Sequence, residues 1–317
     1  MTSGSDVEHF VTLFDSHYLP QGLSLRKSLA AHGKPFILWI VALDEACAAA
    51  LKKIAPEFVQ IIRLQDIETD RLIEAKRDRS VAEYCWTLTP FLPSAVFERQ
   101  PGLERVTYVD ADIYFFDSPA KLLDEFSASE KHVMITDHAF APEHMANLQY
   151  GRYCVQFMTF RNTEGGWKVL RWWQDRCAEW CYFRLEDGKF GDQKYLDDWP
   201  ELFGDEVHVL SQTNRTAAPW NVRHIGAVSG KVEPVFYHYH SLRIVSPHRV
   251  VLYYTTYDIG RTNRWIYDAY VAALREAAST MRELAIPILG RPMPKEPWWV
   301  LRYLKRWIIG RLAWVRI

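Results

Sequence analysis

The chain has 317 residues, 49% hydrophobic and 24% charged. That is the composition of a soluble globular protein, long enough for one large or two ordinary domains and able to bury a large core without disulfides. A formal net charge of −1 argues against wholesale nucleic-acid binding.

Residues 9–14 (HFVTLF) read as a short strand, ended by Asp15-Ser16-His17. Residues 19–31 read as a helix with Leu23, Leu25 and Leu29 on or near one face. Residues 35–43 (PFILWIVAL) read as a buried strand, and Asp44 as the N-cap of a helix over 45–54. A strand over 58–64 precedes charged helical sequence to Arg79, and 81–98 is helical with breaks at Pro90 and Pro93. Residues 105–109 (RVTYV) are a strand that runs straight into Asp110-Ala111-Asp112. Further on, 132–136 and 155–160 read as strands, and 165–184 as a helix with Leu170, Trp173, Cys177, Trp180 and Cys181 on its apolar face. Residues 233–240 read as a strand ending in His238-Tyr239-His240, and 261–283 as a helix. Strands alternating with helices predict a parallel sheet covered on both faces, with ligands beyond the carboxyl ends of its strands. Asp15 and the Asp110–Asp112 pair both stand at such ends.

The five cysteines, at 47, 85, 154, 177 and 181, lack paired short spacings, so Cys177 and Cys181 are expected as buried thiols rather than zinc ligands. The opening MTSGSDVEHF has neither the basic nor the apolar part of a leader, and no apolar run reaches about 18 residues, so a reducing, cytoplasmic setting is expected.

Three places can carry chemistry. In Tyr108-Val109-Asp110-Ala111-Asp112-Ile113-Tyr114-Phe115-Phe116, two acids one residue apart stand between apolar runs. Carboxylates this close repel unless a cation lies between them, and hard divalent ions such as Mg²⁺ and Mn²⁺ take oxygen ligands and bridge phosphates. On spacing alone, the pair fits either such a site or a strand-end turn with two solvated acids. In Phe236-Tyr237-His238-Tyr239-His240, alternation puts both imidazoles on one side of a strand, as a ligand to the same metal or as a hydrogen-bonded pair. In 190–196 (FGDQKYL), Asp192 and Gln193 begin a helical turn, where an acidic N-cap is unremarkable.

Taken in order, the first strand with its turn acid and aromatic, the apolar-flanked DxD, the DQ-x-x-L segment and the histidine strand resemble glycosyltransferase family 8 and its GT-A relatives, over roughly residues 8–245. The string LEDGKFGDQKYLDDWP over 185–200 is similar to a bacterial group of uncharacterised sugar transferases and is far more specific than the DxD. The resemblance implies an α/β fold of GT-A type, a Rossmann-like nucleotide-diphospho-sugar transferase with a central, mostly parallel sheet. It implies that Asp110 and Asp112 hold Mn²⁺ or Mg²⁺ on the donor diphosphate, with Asp110 also reaching the ribose. His238 matches the third metal ligand, with His240 as the fallback. Asp15 and Tyr18 match positions that hydrogen-bond and stack on the base, and Asp192 and Gln193 match residues beside the anomeric carbon of the donor sugar. The reaction implied is transfer with retention from a nucleoside-diphosphate sugar, of UDP type.

The sequence departs from the family where an arginine is usual, at Cys85-Trp86-Thr87-Leu88-Thr89-Pro90, leaving Arg79 or Lys76 as substitutes. The family's Asn-containing strand reads Tyr153-Cys154-Val155-Gln156-Phe157, where Gln156 would narrow the sugar pocket. The Gly and Lys after the family's His are Ser241 and, one place early, Arg243.

Residues 295–317 carry six basic residues against Glu296. As a helix they put Leu301, Leu304, Ile308, Leu312 and Val315 on one face and Arg302, Lys305, Arg306 and Arg316 on another, with Trp298, Trp299, Trp307 and Trp314 suited to a headgroup boundary. A helix packed on the domain with a basic outer face is the alternative. The expected organisation is a catalytic domain over 1–260 and a helical extension over 261–317. The expected protein is a hexosyltransferase-type enzyme, peripheral on the inner membrane face, acting on a cell-envelope or lipid-linked glycan. A sugar nucleotidyltransferase and an inactive, membrane-associated sugar-binding scaffold are the rivals.

Overall fold

The computed structural model describes residues 7–32, 35–252, 257–293, 297–308 and 312–317. Strands β1 (Glu8–Phe14), β2 (Phe36–Ala42), β3 (Val59–Arg63) and β4 (Arg105–Val109) belong to a seven-stranded sheet, with α1 (Leu19–His32), α2 (Glu45–Ile54), α3 (Asp70–Lys76), α4 (Val81–Leu88) and α5 (Phe91–Arg99) between them. β5 (Ile113–Phe115) leaves that sheet, and α6 (Ala120–Ala128) follows. β6 (Val133–Asp137), β7 (Tyr153–Arg161), α7 (Glu164–Glu179), the short α8 (Trp199–Leu202) and β8 (Val207–Val209) complete the sheet, in the order β3-β2-β1-β4-β7-β6-β8. β7 runs against both its neighbours, and the other pairings are parallel. After β9 (Thr216–Ala217) and α9 (Val222–Ser229), β10 (Phe236–His238) lies between β5 and β9 in a small second sheet. β11 (Arg243–Ser246), β12 (Arg249–Val251), α10 (Trp265–Glu283), α11 (Trp299–Ile308) and β13 (Trp314–Arg316) end the chain.

The mostly parallel sheet with helices on both faces is the α/β architecture that the alternation of elements predicts. Its period-2 side chains feed two cores. Phe10, Phe14, Leu38 and Ile40 join one with α1, α2, α6 and α10, and Val11, Leu13, Trp39 and Val41 join the other with α4, α5 and α7. β1 and β2 are buried on both sides, so their sequences are nearly continuous apolar runs. The helical run over 81–98 divides as α4 and α5, with Pro93 in the first turn of α5, where its missing N–H leaves no intrahelical bond unmade. α7 stops at Glu179, earlier than its periodicity predicts: Trp180 is extended, and the chain turns into a loop that Gly191 closes through N–H donation to Tyr182 O (3.0 Å).

The C-terminus differs from the single helix expected over 295–317. Lys295, Glu296, Ile309 and Arg311 lie outside the described residues. α11 covers only Trp299–Ile308, and Arg316 and Val315 pair antiparallel with Arg249 and Val250 of β12. The reason is an available strand edge beside an alternating segment: Ile317 is buried and Val315 half-buried, while Trp314 and Arg316 face out.

Asp44, expected as a helix cap, also shapes the turn after β1. Its carboxylate accepts from Cys47 N (2.6 Å) at the start of α2 and from Ser16 N (3.0 Å) and Ser16 Oγ (2.8 Å) across the turn. Burial works against the charge, but these hydrogen bonds outweigh it and hold the Asp44 carboxyl below its ordinary range. Asp44→Ala should therefore cost about 1–2 kcal/mol in denaturant melts at neutral pH. A depressed carboxyl stabilises above its unfolded pKa and loses that contribution as pH falls through the folded one, so the gap between wild type and variant should close on acidification. A gap independent of pH would mean that the charge has no part in it.

Candidate functional site

The carboxyl ends of β1 and β4, the start of β7 and the end of β10 open on one cleft of about 780 Å³. Asp110 and Asp112 form its floor. Asp110 N–H donates to Gln156 O on β7 (3.0 Å), and Asp112 O accepts from Tyr239 N beyond β10 (2.9 Å), so the two acids are fixed from two different sheets. The β5–β10 register sets His238 opposite Ile113, just after the acids. Its Nε2 lies 3.2 Å from Asp112 Oδ1 and 3.6 Å from Asp110 Oδ2. The three side chains offer ligand atoms within 4.8 Å of one another. Behind them, Tyr108 Oη donates to Asp110 Oδ1 (2.6 Å), and His238 Nδ1 donates to Gln156 Oε1 (2.8 Å), which turns Nε2 toward the acids.

The electrostatics follow from this packing. Burial, and then the Asp112 charge against the opposing pull of His238, leaves the Asp110 carboxyl above its ordinary range. Burial also acts to raise Asp112, but His238 outweighs it and holds that carboxyl down. Burial disfavours the charged His238 ring, yet Asp112 and Asp110 prevail and raise it well above an ordinary histidine. The imidazole, drawn toward its charged form in this way, lies against both carboxylates, and a divalent ion would take over that work. Two carboxylate oxygens and an imidazole nitrogen, with the far side of the imidazole fixed by an amide oxygen, fit a divalent metal ion. His238 rather than His240 completes the cluster. His240 also lines the cleft, where burial and the charge on His238 pull it down to about 4 and keep it neutral.

At one end of the cleft, Asp15 caps the turn after β1, accepting from His17 N (3.0 Å), and ion-pairs with Arg291, whose guanidinium carbon lies 5.7 Å from the centre of the Tyr18 ring. Burial, then the nearby Asp112 charge, pushes the Tyr18 hydroxyl up, so this end borders the acid pair. At the other end is Asp192, only 5% exposed, whose carboxyl burial and then Asp110 raise well above the usual range. Its backbone is held by Trp173 Nε1 of α7 donating to Asp192 O (3.0 Å), and Gln193 Nε2 donates to Tyr150 O (2.9 Å).

Three sequence-predicted residues stand elsewhere. Arg79 is buried behind the wall, donating to Cys177 O and Ala178 O (2.9 Å each) and to Thr87 Oγ1, so its guanidinium does not face the cleft. Gln156 lies beneath His238, 1% exposed, and orients the imidazole instead of narrowing a sugar pocket. Lys76 pairs with Glu68 (2.7 Å) outside the cleft. Residues missed by sequence reasoning include Arg291 and two aromatic walls. One wall joins Trp220, Phe140, His138 and Tyr257, and the other joins Trp86, Phe183, Phe190 and Tyr150. Nothing in the one-dimensional pattern marked them, because aromatics spread over many segments look like core.

No protein-family model matches the chain. Among curated proteins, the uncharacterized protein YfnF of Bacillus subtilis (strain 168) is 30% identical over 250 residues, 75% of this chain and 82% of that one. The uncharacterized protein YfnD of the same organism is 27% identical over 278 residues, 84% of this chain and 88% of that one. Among solved structures, the galactosyltransferase LgtC, in complex with donor and acceptor sugar analogues, superposes with a TM-score of 0.51 at 14% identity, over 92% of this chain and 98% of that one. The bifunctional glycosyltransferase WbbM in its apo form superposes with a TM-score of 0.52 at 13% identity, over 91% of this chain and 53% of that one. The fold is therefore that of GT-A glycosyltransferases.

If Gln156 sets the orientation of His238, Gln156→Leu should weaken Mn²⁺ binding about 10–100-fold with little change in the melting curve. Calorimetric titration measures this, and wild-type affinity in the variant would remove Gln156 from the metal site.

Proposed function

We propose that this chain, which belongs to one family with the uncharacterized Bacillus subtilis proteins YfnF and YfnD, is a metal-dependent glycosyltransferase that uses a nucleoside-diphosphate sugar. The observation that carries the reading is the Asp110–Asp112–His238 cluster at the carboxyl end of a GT-A sheet, in the middle of a cleft large enough for such a donor. Mn²⁺ or Mg²⁺ held by these three residues would offset charge on the departing diphosphate. Asp15 accepts a hydrogen bond from the base, and the Tyr18 ring stacks on it. Asp192 and Gln193 meet the donor sugar. Asp192 is buried, which raises its carboxyl well above the usual range, and Trp173 keeps its backbone still for a contact with a sugar hydroxyl. The aromatic walls suit the apolar faces of a glycan acceptor and exclude water. A UDP-type hexose donor, transfer with retention, and a cell-envelope or lipid-linked acceptor complete the proposal.

A nucleotidyltransferase needs a glycine- and cation-rich loop for a triphosphate after the first strand. Here Asp15 leads through the turn Ser16–Tyr18 directly into α1, which supports the glycosyltransferase reading. Hydrolysis of a panel of nucleotide sugars with Mn²⁺ tests it. Wild type should hydrolyse at least one donor, and Asp112→Asn should lose about 100-fold or more while remaining folded. An inert wild type would favour the sugar-binding scaffold.

Among the described residues no helix is long and apolar enough to cross a membrane. α11 instead presents Leu301, Trp307 and Ile308, each more than half exposed like Trp298 just before it, beside Arg302, Lys305 and Arg306, and we place it on an anionic membrane surface. Leu304→Glu combined with Trp307→Glu, which leaves β13 intact, should abolish co-sedimentation with phosphatidylglycerol vesicles and spare hydrolysis of a soluble donor. Added salt should weaken wild-type binding without eliminating it. Wild type that stays in the supernatant at low salt would overturn the membrane assignment.

A further inference from the structure

After α10 the chain turns back toward the cleft, and we propose that Arg291 on this returning segment clamps the nucleoside of the donor against Tyr18. The inference rests on the donor reading above, which puts the base at Asp15 and Tyr18. The segment is firmly seated. Ile286 and Ile288 are buried, Ile286 N–H donates to Met281 O (2.7 Å), and Arg291 N–H donates to Ile244 O on β11 (2.9 Å). Gly290 lies so close to β11 that a Cβ there would stand 2.5 Å from Ser246 N, so the backbone is laid flat on that strand and Arg291 is delivered to the rim of the cleft. Its guanidinium pairs with Asp15 and lies over the Tyr18 ring, touching the two side chains assigned to the base.

The charge balance of the cleft points the same way. It is lined by Asp15, Asp110, Asp112 and Asp192, and among the described residues its arginines and lysines are Arg184 and Arg291. Arg184 is committed to Glu186 (2.5 Å) and to the Tyr182 ring, neither of which lines the cleft. The stretch 85–90 supplies no cation and Arg79 is committed behind the wall, which leaves Arg291 to face the nucleotide. A planar guanidinium can stack on a heterocycle while its edge donates to a carboxylate, which a lysine ammonium cannot do. With donor present, the base enters between Tyr18 and Arg291, and Asp15 serves both. Without it, Arg291 closes directly onto Asp15 and keeps that carboxylate compensated.

The test is calorimetric titration of the full chain with UDP, GDP, ADP and CDP in the presence of Mn²⁺. For the nucleotide that wild type binds, Arg291→Ala should raise Kd about tenfold and Arg291→Lys should fall between, with Mn²⁺ affinity in the absence of nucleotide unchanged. Equal or tighter nucleotide binding by Arg291→Ala overturns the clamp and leaves the donor reading standing, and tighter binding would make Arg291 a plug. Wild type that binds none of the four nucleotides removes the donor reading and the clamp with it.

Discussion

Two carboxylates that would repel each other are held a single residue apart in a largely desolvated turn, and a cation must answer them. The backbone of Asp110 is fixed by β7 and that of Asp112 by the segment after β10, so neither can swing away to relieve the repulsion. His238 answers it in the structure, set by the β5–β10 register and aimed by Gln156. The same constraint makes the site suited to a divalent ion and, through that ion, to phosphate oxygens. It also reaches the rest of the cleft: the Asp110 charge raises Asp192 at one end, and the Asp112 charge raises Tyr18 at the other.

The architecture exists to bring these groups to one place. The parallel half of the sheet ends β1 and β4 side by side, which sets Asp15 and the acid pair on one cleft. The reversed β7 contributes Gln156 from below, and the small second sheet brings β10 in from the far side. The C-terminal part then closes the rim. α10 buries Ile266, Tyr270 and Leu274 in the same core as Leu25 and Leu29 of α1, and the segment beyond it carries Arg291 back to Asp15 across 276 positions of sequence. The cleft is thus a product of both ends of the chain. Its aromatic walls come from equally scattered segments, from Trp86 on α4 to Tyr257 beyond β12.

Local signals were legible wherever a residue acts through its immediate neighbours. The Asp44 cap, the break at Pro90, the alternation of strands and helices and the strand leading into the DxD all depend on contacts within a few residues, and those patterns survive in one dimension, whereas Pro93 sits inside α5 and breaks nothing. The basic, tryptophan-rich tail was legible in composition but not in form, because the pairing of residues 314–316 with β12 depends on a distant edge. Arg79 was named because the stretch 85–90 lacks the family's arginine, and sequence proximity to that stretch proved a poor guide. Its guanidinium was drawn to the carbonyls at the end of α7, while the arginine paired with Asp15 at the cleft came from position 291.

The sequence by itself determined the α/β class, the acid pair at the end of β4 and the histidine strand, since each is a periodic or adjacent pattern that the backbone converts directly into geometry. Only the tertiary structure decided that His238 rather than His240 meets the acids, that Gln156 is a support beneath the imidazole, and that Arg291 covers Tyr18. Those outcomes depend on strand register and on close packing between segments far apart in the chain. One step of register turns a side chain to the opposite face, and the absence of one methyl group, as at Gly290 against β11, lets a distant segment reach the site.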